Sequence, residues 1–119
     1  MNSTEAQKWR LGLVLGANPS TAEMRVGLRL ASAALDKGVS VKLFLVGDSL
    51  GLAIDTKSNK PIFKVFRLIL DRGVEAILCS VMLRDRGIPA SQISPDVVQG
   101  SLIYFSDMVE NCDRLLYLG

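Results

Sequence analysis

Short apolar runs alternate along the chain with segments in which apolar residues recur at helical spacing. Apolar runs bounded by glycine or charged residues predict strands that are buried on both faces of a sheet. A chain that alternates such strands with helices is expected to form a parallel sheet covered by helices. The predicted strands are Leu11–Leu15, Val39–Val46, Val74–Leu78, a short one at Val97–Val98, and Leu115–Leu118.

The first helix is predicted to begin at Ser20, because Glu23 follows at the spacing of a capping box, in which both side chains accept backbone N–H groups. Lys37-Gly38 predicts its end, with a cation near the negative end of the helix and a glycine suited to the left-handed conformation. The apolar face of this helix is predicted to contain Met24, Leu28, Ala31, Ala34 and Leu35.

Three further helices are predicted from the same kinds of signal. The second strand closes at Gly47-Asp48-Ser49, and a polar loop follows whose most loop-like part is Thr56–Lys60. Pro61 suits the first position of the second helix, Ser80 is the predicted cap of the third, and Ser101 is the predicted cap of the last. In the last helix, one apolar face is predicted for Leu102, Phe105, Met108, Val109 and Cys112.

Length and composition favour one domain over residues 1–119, with a weakly ordered start at residues 1–9. The net charge is only +2 and the basic residues are interspersed with acidic ones, so neither nucleic acid nor an acidic membrane surface is indicated as a partner. No run approaches the roughly 20 apolar residues of a membrane span. Because the first residues are also polar and unlike a signal peptide, we expect a cytoplasmic protein.

The chain contains no histidine and two cysteines, Cys79 and Cys112. The lack of histidine excludes Cys-His and Ser-His-Asp relays within the chain, together with the imidazole ligands of many zinc sites. We therefore expect neither a metal nor a cofactor. Two widely separated cysteines without a secretory signal indicate reduced thiols. Cys112 lies on the predicted apolar stripe of the last helix, so a packing role is expected for it.

Cys79 ends a predicted strand and directly precedes a predicted helix. The carboxyl ends of parallel strands border the crevice in which open α/β sheets hold their reacting groups. Backbone N–H groups at the helix start, near Ser80 and Val81, would favour a thiolate at this position. The sequence thus makes Cys79 the candidate catalytic residue, while a buried cysteine that only fills the core stays open as an alternative.

Asp48 and Asn18 follow other predicted strands and are candidate supporting members of the same crevice, although a turn or cap role is the commoner explanation for residues of these types at such positions. A small-molecule or nucleotide site at these two loops is a third possibility, but the loops lack a P-loop lysine and the Rossmann glycines. Arg84 and Arg86 are expected to be solvated, because Arg84 lies about 140° around the helix from Cys79 and Arg86 about 10 Å farther along its axis.

Several short motifs occur in a fixed order over nearly the whole chain. They are the capped first helix, Gly47-Asp48 with Leu52-Ala53 after it, Gly73-Val74, Cys79 with Arg86-Gly87, Gly100-Ser101-Leu102, and Asp113-Arg114-Leu115. In this order around one cysteine they resemble the DsrE/DsrF-like family. The first loop, Ala17-Asn18-Pro19, departs from that family because it lacks the Pro-aromatic-Gly pattern of many relatives, and Ser49-Leu50 stands where small-apolar pairs are usual.

The resemblance implies a three-layer α/β/α domain with a five-stranded, mainly parallel sheet, assembled as a homotrimer or homohexamer. It also implies a sulfur carrier or sulfurtransferase in which the cysteine at the place of Cys79 accepts a persulfide and passes it on. The partners would then be sulfur-donor and sulfur-acceptor proteins. The alternative is a non-catalytic oligomeric binding or scaffold protein of the same fold, in which Cys79 is structural.

Overall fold

One parallel sheet of five strands forms the centre of the molecule in a computed structural model that describes residues 9–54 and 58–119. The strand order is β4-β3-β2-β1-β5, and each neighbouring pair runs parallel. The predicted α/β fold with a five-stranded parallel sheet is therefore confirmed. The strands are β1 (Arg10–Leu15), β2 (Ser40–Leu45), β3 (Glu75–Cys79), β4 (Val98–Gly100) and β5 (Arg114–Leu118).

In the described part of the chain, five α-helices connect the strands, and two short 3-10 helices lie at Gly47–Leu50 and Ala90–Gln92. The polar loop predicted after the second strand is wrong in its first part, since residues 47–54 are helical and bury Leu50, Leu52 and Ala53. Residues 1–8 and 55–57, with Thr56 of the predicted loop, lie outside the described residues. The helices are α1 (Ala22–Asp36), α2 (Gly51–Ile54), α3 (Pro61–Asp71), α4 (Ser80–Asp85) and α5 (Leu102–Glu110).

One face of the sheet, which we call the first face, carries the main hydrophobic core. Successive side chains of a strand point to opposite faces, and on β1 and β2 the alternate leucines and valines that enter this core are almost fully buried. Helices α1, α3 and α4 cover the face with apolar residues at helical spacing. Core residues include Leu11, Leu13, Leu15, Val41, Leu43, Leu45, Met24, Leu28, Phe63, Phe66, Ile69 and Leu83.

The opposite face, which we call the second face, is covered by α5. Phe44 and Ile77 are fully buried but lie outside the first-face core, and the ring of Phe105 in α5 packs on Phe44 with a centroid distance of 4.6 Å. The connection from β4 to β5 crosses the sheet in the direction opposite to the earlier connections. Because crossovers between parallel strands are right-handed, this reversal brings α5 to the second face and completes the third layer.

The start of α1 differs from the prediction by one residue. Thr21 is the N-cap, and its hydroxyl oxygen accepts a hydrogen bond from the Met24 backbone N–H at 3.2 Å. The predicted cap, Ser20, instead donates from its hydroxyl to the Asn18 side-chain oxygen at 2.8 Å. The predicted capping box at Ser20 is therefore wrong, because Asn18 engages that hydroxyl and leaves the cap to the next residue.

No helix in the described ranges, 9–54 and 58–119, has the length and apolar character needed to cross a lipid bilayer.

Replacement of Thr21 by alanine is expected to lower the free energy of unfolding by about 1 kcal/mol, because the first turn of α1 loses its side-chain acceptor. Ser20→Ala is the matched control and should change stability by less than about 0.5 kcal/mol, since Ser20 lies at the surface. Urea denaturation followed by circular dichroism measures both. An equal or larger loss for Ser20→Ala would contradict the assignment of Thr21 as the cap.

Candidate functional site

Cys79 is the last residue of β3 and occupies the N-cap position of α4, with an extended backbone. Leu78 before it enters the first-face core, so the side chain of Cys79 points to the second face. Only 3% of the residue is exposed. The thiol therefore lies at the carboxyl edge of the sheet, as the sequence indicates, but other groups of the chain shield it from solvent.

The nearest neighbour of Cys79 on β4 is a glycine. Cys79 pairs in register with Gly100, which is itself buried, and a Cβ atom built on Gly100 would lie 2.7 Å from Cδ1 of Tyr104. Tyr104 belongs to the first turn of α5, and its ring occupies the space that a side chain at position 100 would fill. The tyrosine ring thus lies on the sheet immediately beside the strand position of Cys79.

Ser80 does not cap α4 as the sequence predicted. It is the first helical residue, the cap position falls to Cys79, and no side-chain hydrogen bond caps this helix. The Ser80 hydroxyl donates instead to the Gly100 carbonyl oxygen at 3.3 Å, and Val81 follows as a half-buried residue of the same turn. Ser80 consequently ties the β3–α4 junction to β4, because a carbonyl of the neighbouring strand is within its reach.

Asp48 lies in the 3-10 helix after β2 and forms an ion pair with Arg86, the residue that ends α4, at 3.3 Å. Both side chains are largely exposed, so this pair contributes at most about 1 kcal/mol to stability. The solvated Arg86 expected from helical spacing is therefore also a partner of Asp48. The ion pair links the end of α4 to the loop that follows β2.

Asn18 shapes the turn between β1 and α1. Its side-chain oxygen accepts hydrogen bonds from the backbone N–H and the hydroxyl of Ser20, and its carbonyl accepts from Thr21. A cavity of about 340 Å³ borders this turn and is lined by Asn18, Ser20, Lys60 and Phe63 among others, without Cys79. Of the predicted supporting residues, Ser80 and Val81 thus lie next to Cys79, whereas Asp48 pairs with Arg86 at the far end of α4 and Asn18 bonds within the turn between β1 and α1.

Cys112 packs on the second face near the amino-terminal end of β1, whereas Cys79 lies at the carboxyl end of β3. Helix α5 ends at Glu110, so the predicted position of Cys112 on a helical stripe is wrong. Its thiol donates to the Met108 carbonyl at 3.3 Å, and a Cβ atom built on Gly12 would lie 2.8 Å from its sulfur. The predicted packing role is confirmed, with Gly12 providing the space.

Burial raises the pKa of the Cys112 thiol, while the cations of Lys42 and Arg10 act in the opposite direction. Among the described residues, no group of three or more cysteine, aspartate or glutamate side chains is arranged to hold a metal ion.

Sequence reasoning missed the pairing of Cys79 with Gly100 and the role of Tyr104 above it. A glycine within a strand signals close approach by another group, but the predicted strand ended at Val98 and the observed strand extends to Gly100, so this signal became visible only with the structure. The identity of the approaching group could not be obtained in this way, because it depends on the register between β3 and β4.

Comparison with known families and structures gives a consistent result. The sequence model of the DsrE/DsrF-like family matches residues 10–118. The crystal structure of the ychN protein from E. coli is similar, with a TM-score of 0.77 and 20% identity over 93% of this chain and 99% of that chain.

Two further solved structures are similar in fold. BT1422 from Bacteroides thetaiotaomicron, of unknown function, has a TM-score of 0.72 and 16% identity over 98% of this chain and 99% of that one. MTH1491 from Methanobacterium thermoautotrophicum, also of unknown function, has a TM-score of 0.66 and 15% identity over 92% and 99%. No curated protein matches the chain. At these identities the structures establish the shared fold and nothing finer.

Alkylation of Cys112 is expected to require a higher pH in the folded protein than in the unfolded chain. A raised pKa leaves less thiolate at a given pH, and the thiolate is the reacting form. The test uses a Cys79→Ser variant, so that Cys112 is the one thiol, and measures iodoacetamide rates against pH by mass spectrometry with and without denaturant. Coincident pH profiles in the two states would contradict the expectation.

Proposed function

This chain belongs to the DsrE/DsrF-like family, and from that membership we propose that it is a sulfur carrier that accepts and passes on a persulfide at Cys79. The family is associated with sulfur relay. The observation that carries the proposal is the location of Cys79 at the last position of β3, on the carboxyl edge of a parallel sheet. Open α/β folds hold their reacting groups at this edge.

The proposed transfer has two balanced steps. The Cys79 thiolate attacks the outer sulfur of a donor persulfide, a new S–S bond forms, and the donor's own S–S bond breaks to release a thiolate. The thiolate of an acceptor protein then attacks the outer sulfur on Cys79 and regenerates the Cys79 thiolate. Each step exchanges one S–S bond for another, so no external oxidant or reductant is needed.

The proposed chemistry is compatible with the side chains that the chain provides. The chain has no histidine, but thiol–persulfide exchange requires mainly a thiolate nucleophile and a thiolate leaving group, and water can carry the protons. Backbone N–H groups in the first turn of α4, at Ser80 and Val81, have no partner within the helix and are the nearest donors along the chain to a sulfur anion, although the Cys79 side chain forms no capping hydrogen bond in this structure. Asp48 and Asn18 would shape the neighbouring loops without contact to the sulfur.

A second candidate function is favoured by the burial of Cys79. A cysteine that is only 3% exposed is typical of core packing, as in a non-catalytic oligomeric binding or scaffold protein of the same fold. Alkylation of the native protein discriminates the two functions. A carrier must react at Cys79 without unfolding, whereas a purely structural Cys79 would resist iodoacetamide up to about pH 8.5, where an unperturbed thiol is half ionised.

The proposed carrier is a homo-oligomer, a trimer or a hexamer. Neither α5 nor β5 contains a buried residue in the single chain, although both are rich in large apolar side chains. Extended apolar surface of this kind is unusual in a soluble monomer, and the exposed strand β5 is open to a further chain. A second copy is the occupant that we propose for this surface, which contains Leu102, Ile103, Tyr104, Leu115, Leu116 and Tyr117.

The remaining partners in this proposal are a sulfur-donor protein and a sulfur-acceptor protein, each of which presents a cysteine. The proposal includes a cytoplasmic location, because Cys79 and Cys112 are both unpaired and thiols stay reduced in that compartment.

Incubation with a low-molecular-weight alkyl persulfide is expected to add about 32 Da, one sulfur atom, to the Cys79 peptide, and a thiol reductant should remove it. Mass spectrometry of the peptides under non-reducing conditions measures this gain. Cys112→Ser should retain the gain and Cys79→Ser should lose it. A gain confined to Cys112, or none at all, would exclude a carrier role for Cys79.

Introduction of a charge into the proposed interface is expected to dissociate the oligomer. Ile103 is 76% exposed in the single chain, so Ile103→Glu should leave the fold intact but place a carboxylate in an apolar contact. Light scattering should then report the 12.9 kDa monomer in place of a multiple of it. Val26→Glu, at a 55% exposed position on α1, is the control and should preserve the assembly. A monomeric unmodified protein would contradict the proposed assembly.

A further inference from the structure

The burial of Cys79 conflicts with the access that a sulfur carrier requires. In either transfer step the sulfur of Cys79, or the sulfur attached to it, has to meet a sulfur atom of another protein at bonding distance. With 3% of the residue exposed, the described arrangement leaves no such approach. Some group that covers the thiol must therefore move, and the structure indicates which group this is.

The first turn of α5 lies over the strands next to Cys79. Helix α5 contacts β3 and β4, and the ring of Tyr104 rests on Gly100. Cys79 and Gly100 are paired in register, and paired positions on neighbouring strands are about 4.8 Å apart and direct their side chains to the same face. The Tyr104 ring therefore lies within one strand spacing of the thiol, on the face to which the thiol points.

Within a single chain, this part of the cover is weakly attached to the sheet. Tyr104 is 36% exposed, and its neighbours Leu102 and Ile103 are more exposed still. The observed attachments of the turn are the Ser101 cap on the Tyr104 backbone N–H, at 3.2 Å, and the packing of Phe105 on Phe44. Neither attachment acts on the tyrosine ring itself, so within one chain the ring can leave Gly100 without loss of the first-face core. In the proposed oligomer the same turn also contacts a second copy, so the ring moves within that interface.

We infer that Tyr104 is a gating residue that controls access to Cys79. In the closed state its ring fills the space over Gly100 and shields the thiol, and rotation of the ring or a small lift of the first turn of α5 exposes it. The use of this gate in sulfur transfer rests on the proposed carrier role, whereas the shielding of Cys79 by Tyr104 is inferred from the geometry independently of that role. Tyr104 acts through the position of its ring and takes no part in the sulfur chemistry.

The gate is tested by the rate at which iodoacetamide alkylates Cys79 in the native full-length protein. Tyr104→Ala should raise this rate by about tenfold or more, because the local opening step that limits access is removed. Cys112 serves as an internal reference for general loosening, since it packs over Gly12, away from Gly100. Peptide mass spectrometry follows both thiols in the same sample.

Tyr117→Ala is the matched control. It also removes a tyrosine from the second face, but the Tyr117 ring lies on Gly16, at the end of β1. Two strand spacings, about 10 Å, separate that position from the Cys79 strand. The control should leave the alkylation rate of Cys79 unchanged. If it raises the rate as much as Tyr104→Ala does, the thiol is covered by the assembly as a whole and the inference is overturned.

Gly100→Ala provides an independent variant that retains the tyrosine. Gly100 does not have a positive φ angle, so alanine fits the backbone, but its methyl group would lie 2.7 Å from the ring and force the ring away. This variant should also accelerate alkylation of Cys79, and it serves in place of Tyr104→Ala if that variant does not fold.

Unchanged Cys79 rates in both Tyr104→Ala and Gly100→Ala, or a rise shared equally by Cys112, would overturn the gate. The readout does not depend on persulfide formation, so failure of the carrier role is distinguishable from failure of the gate. Faster alkylation of Cys79 in the variants, without a persulfide gain in the unmodified protein, would refute the carrier role and support the gate. A persulfide gain at Cys79 with unchanged alkylation rates in the variants would support the carrier role and refute the gate.

Discussion

The alternation of side chains along parallel strands is the constraint on which the rest of this structure depends. In β1 and β2 every second residue enters one core, and α1, α3 and α4 together cover it. The intervening residues must face the other way, where α5 is the helix observed in the described part of the chain. The two faces therefore differ in how completely they are covered, and this difference separates a stabilising face from a face available for function.

The second face is covered less completely than the first, and two features of its strands suit this partial covering. Near the amino ends of the strands, Lys42 and Glu75 form a cross-strand ion pair at 2.9 Å that remains partly solvated, which avoids the cost of full desolvation. Glycines on this face also admit groups that a side chain would exclude: Gly12, in register with Lys42, admits Cys112, and Gly100, at the carboxyl end of β4, admits Tyr104. The cover of this face therefore packs on Phe44 through Phe105 and fills the positions where the strands have no side chains.

Sequence reasoning was most successful where one local signal decided the outcome. Periodicity predicted the strands and the buried face of α1. Ser101 caps α5 as predicted, since its hydroxyl oxygen accepts a hydrogen bond from the Tyr104 backbone N–H. Sequence reasoning failed where two residues competed, as at Ser20 and Thr21, since the choice depends on a hydrogen bond from Ser20 to Asn18. The short helices at residues 47–54 were hidden because neither spans enough turns to show a period.

The candidate site divides in the same way between local and distant information. The strand-to-helix junction at Cys79 follows from adjacent residues, so its location at the sheet edge was predictable from the sequence. The cover over it depends on the pairing of β3 with β4 and on the return of the chain across the second face. Such long-range geometry has no counterpart in the spacing of residues around Cys79.

Shielding and access place opposite demands on a persulfide carrier, and the arrangement around Cys79 can meet both. A closed site protects a reactive group from water and from unwanted partners. A persulfide, however, extends the side chain by an S–S bond of about 2.05 Å. Because the space next to Cys79 on β4 is occupied by the Tyr104 ring, the added sulfur would compete with that ring for the same volume.

Addition of sulfur to Cys79 would then itself favour displacement of the Tyr104 ring, and no further group would be needed to couple the two. The bound sulfur would favour the open position of Tyr104, in which an acceptor can reach it. Once the sulfur has left, the ring could return to Gly100 and the thiol would again be shielded. A tyrosine on the second face is suited to this exchange, since displacement of its ring disturbs little of the first-face core.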